Sequence, residues 1–315
     1  MLKKLIGSVV ALIITALLGS IVAFALIHML PGNPVSVILG PAATPSTRKA
    51  LIAQLGLNKP LVEQYLTWLN NFLHGNMGIA YSDRQAVASL LKQNYSETLE
   101  LTLASQVIAL ILAIALAVFA GLKENRLMDK VFTSLSFGFF SIPPFVVAPI
   151  LVILFAVKAK ILPATGYSSL ANNPAQNIKD MILPVATLAL TTFPPYYQIL
   201  RAELVRTLKE NFVELAVAKG LSPLKVVIRH ALKPSSLGLL TTVGLQLGSL
   251  ITGAFVIEYI FQLPGLGELT INSINAGDYL VIQAIVVIVI TAVGAINFII
   301  DLLYAVLDPR IRSSK

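Results

Sequence analysis

The residue types that carry most enzymatic and metal chemistry are scarce in this chain of 315 residues, and they are widely separated. There is no Cys, which excludes disulfides, thiolate nucleophiles and Cys-based metal sites. The three histidines, His28, His74 and His230, stand far apart and none belongs to an H-E-x-x-H pattern. No G-x-x-x-x-G-K-[ST] occurs, so the chain has no phosphate-cradling loop of its own, and Gly265-Leu266-Gly267 is a lone GxG that specifies nothing. No catalytic residue, cofactor or metal follows from this inventory. The polar groups that stand out are Gln106, Gln246, Asn297 and Asp301, each inside or at the end of an apolar stretch. A polar group in hydrocarbon either faces a water-filled path or bonds to a neighbouring helix, and sequence leaves both open. Asp301, near the inner end of the last stretch, can simply be solvated by the membrane interface. Pro143-Pro144 and Pro194-Pro195 interrupt apolar stretches, where proline frees carbonyls and kinks a helix. Gln106, Pro194, Pro195, Gln246 and Asn297 are therefore candidates for lining a pathway. Gly244, Gly248 and Gly253, with Ser249 and Thr252, read first as a surface for close helix packing.

A second kind of candidate is mechanical. Lys209 to Pro234 is a polar island between apolar stretches and reads as two short helices. Gly220 can take the left-handed conformation that stops the first. Ser222 suits an N-cap and Pro223 the first position of the second. Leu224, Val227, Ile228 and Ala231 fall at i, i+3, i+4, i+7, and Lys225, Arg229 and Lys233 form another stripe. Such a hairpin can take a push from a soluble partner, or it can be an ordinary basic cytoplasmic loop.

The elements that would position these residues follow from composition. Hydrophobic residues make up 56% of the chain and charged ones only 12%, against about 25% in soluble proteins. Six stretches free of Asp, Glu, Lys and Arg are long enough to span a bilayer: 5–30, 101–122, 131–157, 181–200, 234–257 and 279–300. The first is too long for a signal peptide and reads as a retained span. The net charge of +8 points to membrane topology rather than nucleic acid, because Lys and Arg gather on cytoplasmic loops. With the N-terminus inside, 15 of these residues lie inside and eight outside, five of the eight in one long loop where the rule is weak. Both termini are thus expected in the cytoplasm. Ser96, Glu97 and Glu100 look like chemistry for the start of the second span.

The long outer loop holds helical candidates near 46–55 and 60–74. The second has a broad apolar face, including Tyr65 and Trp68. It can cap the bundle, dock an outside partner or lie in the interface, and capping is the expectation. Three functions fit the whole: the membrane half of a transporter powered from outside the chain, a secondary transporter, or a membrane scaffold. The middle of every span lacks ionisable residues, which argues against ion coupling. A scaffold has no need of a tight hairpin.

Several motifs, in order along nearly the whole chain, give it a family resemblance. They are LPGNP at 30–34, GLNKPLVEQYLTWL at 56–69, ETLELTLA at 97–104, AKGLS at 218–222 with RHAL at 229–232, and EYIFQLPGLGEL at 258–269. The chain resembles permeases of ABC transporters, and within them the dipeptide/oligopeptide/nickel group. It departs from that pattern at Leu215, His230, Lys233 and Asn76-Met77-Gly78. The resemblance implies an all-α polytopic membrane protein of six transmembrane helices, N-in/C-in, in a bacterial or archaeal cytoplasmic membrane. Residues 1–30 would form the first helix, 31–96 an extracytoplasmic helical region and 97–315 the permease core. A coupling loop at 207–234 would lie between helices 4 and 5. It implies import of di- or oligopeptides, with nickel chelates or glutathione as other cargoes. It implies as partners a second permease subunit, two ABC ATPases that hydrolyse the ATP, and an extracytoplasmic binding protein. Glu214, Ala216, Ala218, Lys219, Gly220, Ser222, Arg229 and His230 would contact the ATPase.

Overall fold

The structure is a computed structural model that describes residues 2–29, 44–54 and 56–307, with Val35 and Leu39, apart from some side chains at helix ends. The LPGNP motif at 30–34, the Asp301 side chain and the basic C-terminal residues lie outside that description. The described residues are helical, with one isolated bridge and no strands. The helices are α1 (Leu2–Met29), α2 (Pro45–Gln54), α3 (Leu61–Leu73), α4 (Val87–Leu122), α5 (Leu127–Phe140), α6 (Pro144–Leu151, continued by a π-helical turn at Val152–Lys158), α7 (Pro174–Thr207), α8 (Asn211–Ala218), α9 (Pro223–Val226), α10 (Leu232–Phe261), α11 (Leu266–Ala276) and α12 (Tyr279–Leu307). Among the described residues, four helical runs are long and apolar enough to cross a membrane: Ile6–Ala25, Val87–Leu122, Pro223–Phe261 and Tyr279–Ile300. A fifth is possible if α5 and α6 count as one broken span, bent by 105°.

The break between α5 and α6 has a simple cause. A residue before proline is pushed out of the helical region, and Pro143 follows Ile142 while Pro144 follows Pro143. Pro143 is extended at φ −62°, ψ 149°, and Pro144 opens the next helix. The expected interruption at 131–157 is therefore a sharp turn between two helices. At Pro194-Pro195 the outcome differs, because α7 runs unbroken from Pro174 to Thr207 through both prolines. An interior proline costs about 3 kcal/mol or more. Here packing overrides it: Leu188, Phe193, Tyr196, Tyr197, Leu200 and Leu204 are all buried. Burial also explains why α7 is less apolar than a lipid-facing span. Protein surrounds Thr187, Tyr196 and Tyr197, and hydroxyls that would be costly in lipid find partners there.

Residues 98–263 form most of one compact unit, organised on α7. Ala109, Ala113, Ala117 and Ala120 make a fully buried small-residue stripe on α4, in one core cluster with Phe193, Tyr196, Tyr197, Leu200 and Leu204 of α7. Small side chains let backbones approach, and van der Waals packing drives helix association where water does not. On α10, a Cβ at Gly238 would lie 3.2 Å from Ile199 Cγ2 of α7. A polar ladder holds α5 to α7. Thr133 Oγ1 and the Tyr197 hydroxyl share a hydrogen bond of 3.1 Å, and Gln198 Nε2 donates to Ser136 Oγ at 3.2 Å. At its base Arg201 donates through Nε and Nη2 to the two oxygens of Asp129, which is 2% exposed. The Asn125 N–H also donates to Asp129. The expected helix start at 96–100 is corrected: α4 begins at Val87. Ser96 Oγ donates to Glu97 instead of capping a helix, and Glu100 accepts from the Tyr167 hydroxyl at 2.9 Å.

Residues 2–97 with 264–298 form the second unit. The helices expected near 46–55 and 60–74 are α2 and α3. A tight turn at 78–87 is closed by the Ile79–Ala86 bridge and by hydrogen bonds from Ala80 N–H to Gln85 and Val87 N–H to Gly78. Gly78 sits at φ +87°, a conformation that favours glycine, and a Cβ there would press on the Leu280 Cδ1 methyl at 2.9 Å. The tip of the turn wraps the carboxylate of Asp278, which is fully buried and accepts from Tyr81 N–H, Ser82 N–H and Ser82 Oγ. Burial, and then the Asp278 charge, push the Tyr81 phenol up to about 12.

Two outcomes are expected. Asp129→Ala strands the Arg201 charge and should cost about 3 kcal/mol, with part of the loss recovered in Asp129→Ala/Arg201→Ala. Thermal unfolding in detergent reads this, and additive losses would show that the two side chains do not act as a pair. Asp278→Ala removes the acceptor that gathers three donors. Trypsin should then cut faster at Arg84, in the tip of the turn, while helix content by circular dichroism is unchanged.

Candidate functional site: a hairpin between two long helices

The chain leaves α7 at Thr207, turns through residues 208–210 and enters α8. α8 ends as Gly220 was expected to end it. Gly220 is at φ +80°, its N–H donates to Val217 at 2.8 Å, and Leu221 N–H reaches back to Ala216 at 3.4 Å. This pairing satisfies carbonyls that a helix end would leave open. Leu221 packs beside Ala216 in a small cluster with Val213, Val226 and Leu208. The hairpin therefore has its own core.

The second arm corrects the expectation of a short helix. From Pro223 the chain stays helical to Phe261, a run of 39 residues in which α9, a π-helical turn at Val227–Ala231 and α10 follow without a break. The π turn has a local reason. Pro234 has no N–H to offer the His230 carbonyl, and its ring clashes with that group in a regular helix. His230 lies within the wider π turn, which relieves the clash. The extra residue also rotates the apolar face. Val226, Val227 and Ala231 are buried, whereas Leu224 and Ile228, expected on that face, are 51% and 58% exposed. Ser222 holds the N-cap position of α9 but makes no side-chain cap bond; its carbonyl accepts from Val226.

Of the residues singled out in the hairpin, Glu214, Ala218, Lys219, Gly220, Ser222 and Arg229 are exposed and His230 is half-buried. Ala216 is different: it is buried between the two arms and cannot touch a partner directly. Sequence reasoning passed over Phe212 and Leu215, which are 47% and 59% exposed at i, i+3 on α8. The available signal was Leu215, a large apolar residue where the family pattern has alanine. Phe212 and Leu215 side by side make this the part of α8 open to contact. Lys209 Nζ holds Glu124 Oε1 at 3.0 Å, tying the root of the hairpin to the segment between α4 and α5.

The pathway candidates fall in different settings. Gln106 is buried on α4 and its Oε1 accepts from the Tyr196 hydroxyl at 3.0 Å. Pro194 is buried and Pro195 half-buried on α7, and Gln246 is half-buried on α10. Asn297 is exposed on α12, in the other unit. The glycine-rich face of α10 serves two ends. A Cβ on Gly253 would lie 3.5 Å from Leu188, which is packing. Gly248, Ser249, Thr252 and Val256, with Pro144 and Phe145 at the start of α6, line a cavity of about 420 Å³. No group of His, Asp and Glu among the described residues could hold a metal ion.

The described residues thus combine several membrane-length helices with a hairpin that has its own small core. Residues 86–313 match the family described as binding-protein-dependent transport system inner membrane component, and residues 1–102 match that family's N-terminal counterpart. The chain is 32% identical over 311 residues to a probable peptide ABC transporter permease protein, y4tP, of Sinorhizobium fredii, covering 99% of this chain and 98% of that one. It is 33% identical over 312 residues to the glutathione transport system permease protein GsiC of Escherichia coli K12, covering 99% of both. A chain of the MetNI methionine ABC transporter, crystallised in inward-facing conformations, superposes with a TM-score of 0.57 at 17% identity, over 70% of this chain and 96% of that one. The chain belongs to the family of inner membrane components of binding-protein-dependent transport systems. It is an ABC-importer permease subunit, a multi-pass inner membrane protein. This sets aside the secondary-transporter and scaffold readings.

Gly220 separates backbone from space. A Cβ there meets nothing within 4 Å, so only the left-handed conformation resists substitution. Gly220→Val should cost about 1–2 kcal/mol locally, whereas Gly220→Asn, which tolerates that conformation, should be close to neutral. Amide hydrogen exchange over 211–226 in the purified chain checks this, and equal protection in both variants would overturn it.

Proposed function

We propose that this chain is one of two paired permease subunits in an ATP-driven importer of short peptides, in a bacterial or archaeal cytoplasmic membrane. It crosses six times with both termini inside, α5–α6 and α7 serving as the third and fourth crossings. Residues 1–30 supply the first crossing, 31–96 an extracytoplasmic region and 97–315 the core. A binding protein delivers cargo from outside, and two ABC ATPases inside supply the work. The hairpin is where that work enters. What supports this reading is the exposed Phe212 and Leu215 face of α8, held between two long helices that run into the spans. A groove on an ATPase would cover that face, with Glu214, Ala218, Lys219, Ser222, Arg229 and His230 around it.

The mechanical logic is stiffness. A push on α8 passes through the Val213–Ala216–Val226 core into the helix that ends at Phe261. It passes through Leu208 and Lys209 into α7, which Arg201 and Asp129 bind to α5. A loop would absorb the displacement, whereas packed helices move as bodies. The cavity between α10 and the start of α6 has hydroxyls on an otherwise apolar wall. That suits a path for peptides, whose amides need occasional partners. The cargo follows from the two relatives, one named for peptides and one for glutathione, itself a tripeptide.

The complex reconstituted in vesicles should take up labelled di- and tripeptides only with ATP and the binding protein, and the purified chain alone should hydrolyse no ATP. Leu215→Asp should abolish uptake while the ATPases, no longer gripping the hairpin, still turn over. Normal uptake by that variant at normal assembly would remove the hairpin from the coupling path.

A further inference from the structure

α3 has two apolar faces, and among the described residues only one has a partner. Tyr65, Trp68 and Phe72 turn toward α1. Phe24 of α1 lies with its ring centroid 5.5 Å from that of Tyr65 and 6.1 Å from that of Trp68, and Trp68 stacks in turn near Phe72 at 5.4 Å. Ser20 Oγ and the Tyr65 hydroxyl share a hydrogen bond of 2.8 Å. The other face is Val62, Leu66, Leu69 and Leu73, at i, i+4, i+7, i+11. Val62, Leu66 and Leu73 are 70%, 57% and 74% exposed. Glu63, Thr67, Asn70 and Asn71 are exposed on the remaining side. No residue of α3 is buried.

We propose that this leucine-rich face is immersed in the headgroup–acyl boundary of the bilayer, so that α3 is an interfacial anchor rather than the cap that sequence suggested. Two observations choose lipid. First, the contact with α1 is at the level of the bilayer: Ser20 and Phe24 lie in the outer half of the charge-free apolar stretch 5–30. Tyr65 and Trp68 belong at that level, because their rings are amphipathic. Second, the helix on which α3 packs is itself open along its apolar run. Only 11% of the α1 span is buried, and Leu17, Leu18, Ile21 and Val22 stand 44–58% exposed on it. A helix with aromatics on one flank, leucines facing down and asparagines facing water has the pattern of a helix lying in the membrane plane. The anchor fixes the height at which the chain rises from α1 toward the turn at 78–87.

The sequence supplies its own probes, with a single Trp, at position 68, and no Cys. The full chain is reconstituted in phosphatidylethanolamine–phosphatidylglycerol vesicles, and nitroxide labels are placed at Leu66→Cys or Asn71→Cys. At 66, collisions with oxygen should exceed those with a water-soluble nickel complex several-fold, and at 71, on the opposite face of the helix, the ratio should reverse. Trp68 emission should be quenched more by phospholipid brominated near the headgroup than by phospholipid brominated deep in the chain. A label at 66 that prefers nickel means the face is in water, and one shielded from both means protein covers it. Either result overturns the proposal, as does Trp68 emission indifferent to brominated lipid.

Discussion

The fold of the 98–263 unit depends on surrounding α7 with protein. Once that helix is enclosed, it can carry three interior prolines, two tyrosines and several hydroxyls that a lipid-facing span could not afford. Its neighbours are shaped by the same requirement. α4 offers an alanine stripe, α10 offers Gly238, and α5 offers hydroxyls and Asp129. Arg201 at the base of α7 turns that packing into a fixed angle, because a bidentate guanidinium–carboxylate pair has directional demands that apolar contacts lack.

From that helix the hairpin inherits its stiffness. One arm is a single turn away from α7 and the other is continuous with a 39-residue helix. The connection between arms is the helix end at Gly220, whose backbone hydrogen bonds leave little freedom. A small apolar core in so short a segment is otherwise unusual for a surface loop, which as a rule is more mobile than the elements it joins. The second unit shows a comparable economy outside the spans. One buried carboxylate, Asp278, gathers the tip of a turn nearly two hundred residues away in sequence, and an aromatic cluster holds α3 against α1.

Much of this was legible from residues alone because the signals are local or periodic. Apolar runs gave the long helices, and Gly220 followed by Ser222-Pro223 gave a helix end and a helix start. Pro143-Pro144 gave a break. Position along the chain did not distinguish that break from Pro194-Pro195, since both are proline pairs in apolar stretches. Similarly, Ser96 and Glu97 have cap chemistry, yet they lie well inside α4. Capping residues are cheap to leave unused when a helix gains more by continuing. Leu224 and Ile228 were assigned to a buried face by a period that the π turn then changed.

The sequence by itself determined that this is a helical membrane protein, that a helix end and a helix start meet at Gly220 to Pro223, and that its motifs belong to a transport permease. Those properties depend on composition and on residues close together in the chain. Tertiary structure alone decided which helix is enclosed, that Asp129 rather than solvent holds Arg201, that Ala216 faces inward while Leu215 faces out, and that Val62, Leu66 and Leu73 of α3 stay exposed. Each depends on what lies across from a residue, and no local pattern encodes its neighbours.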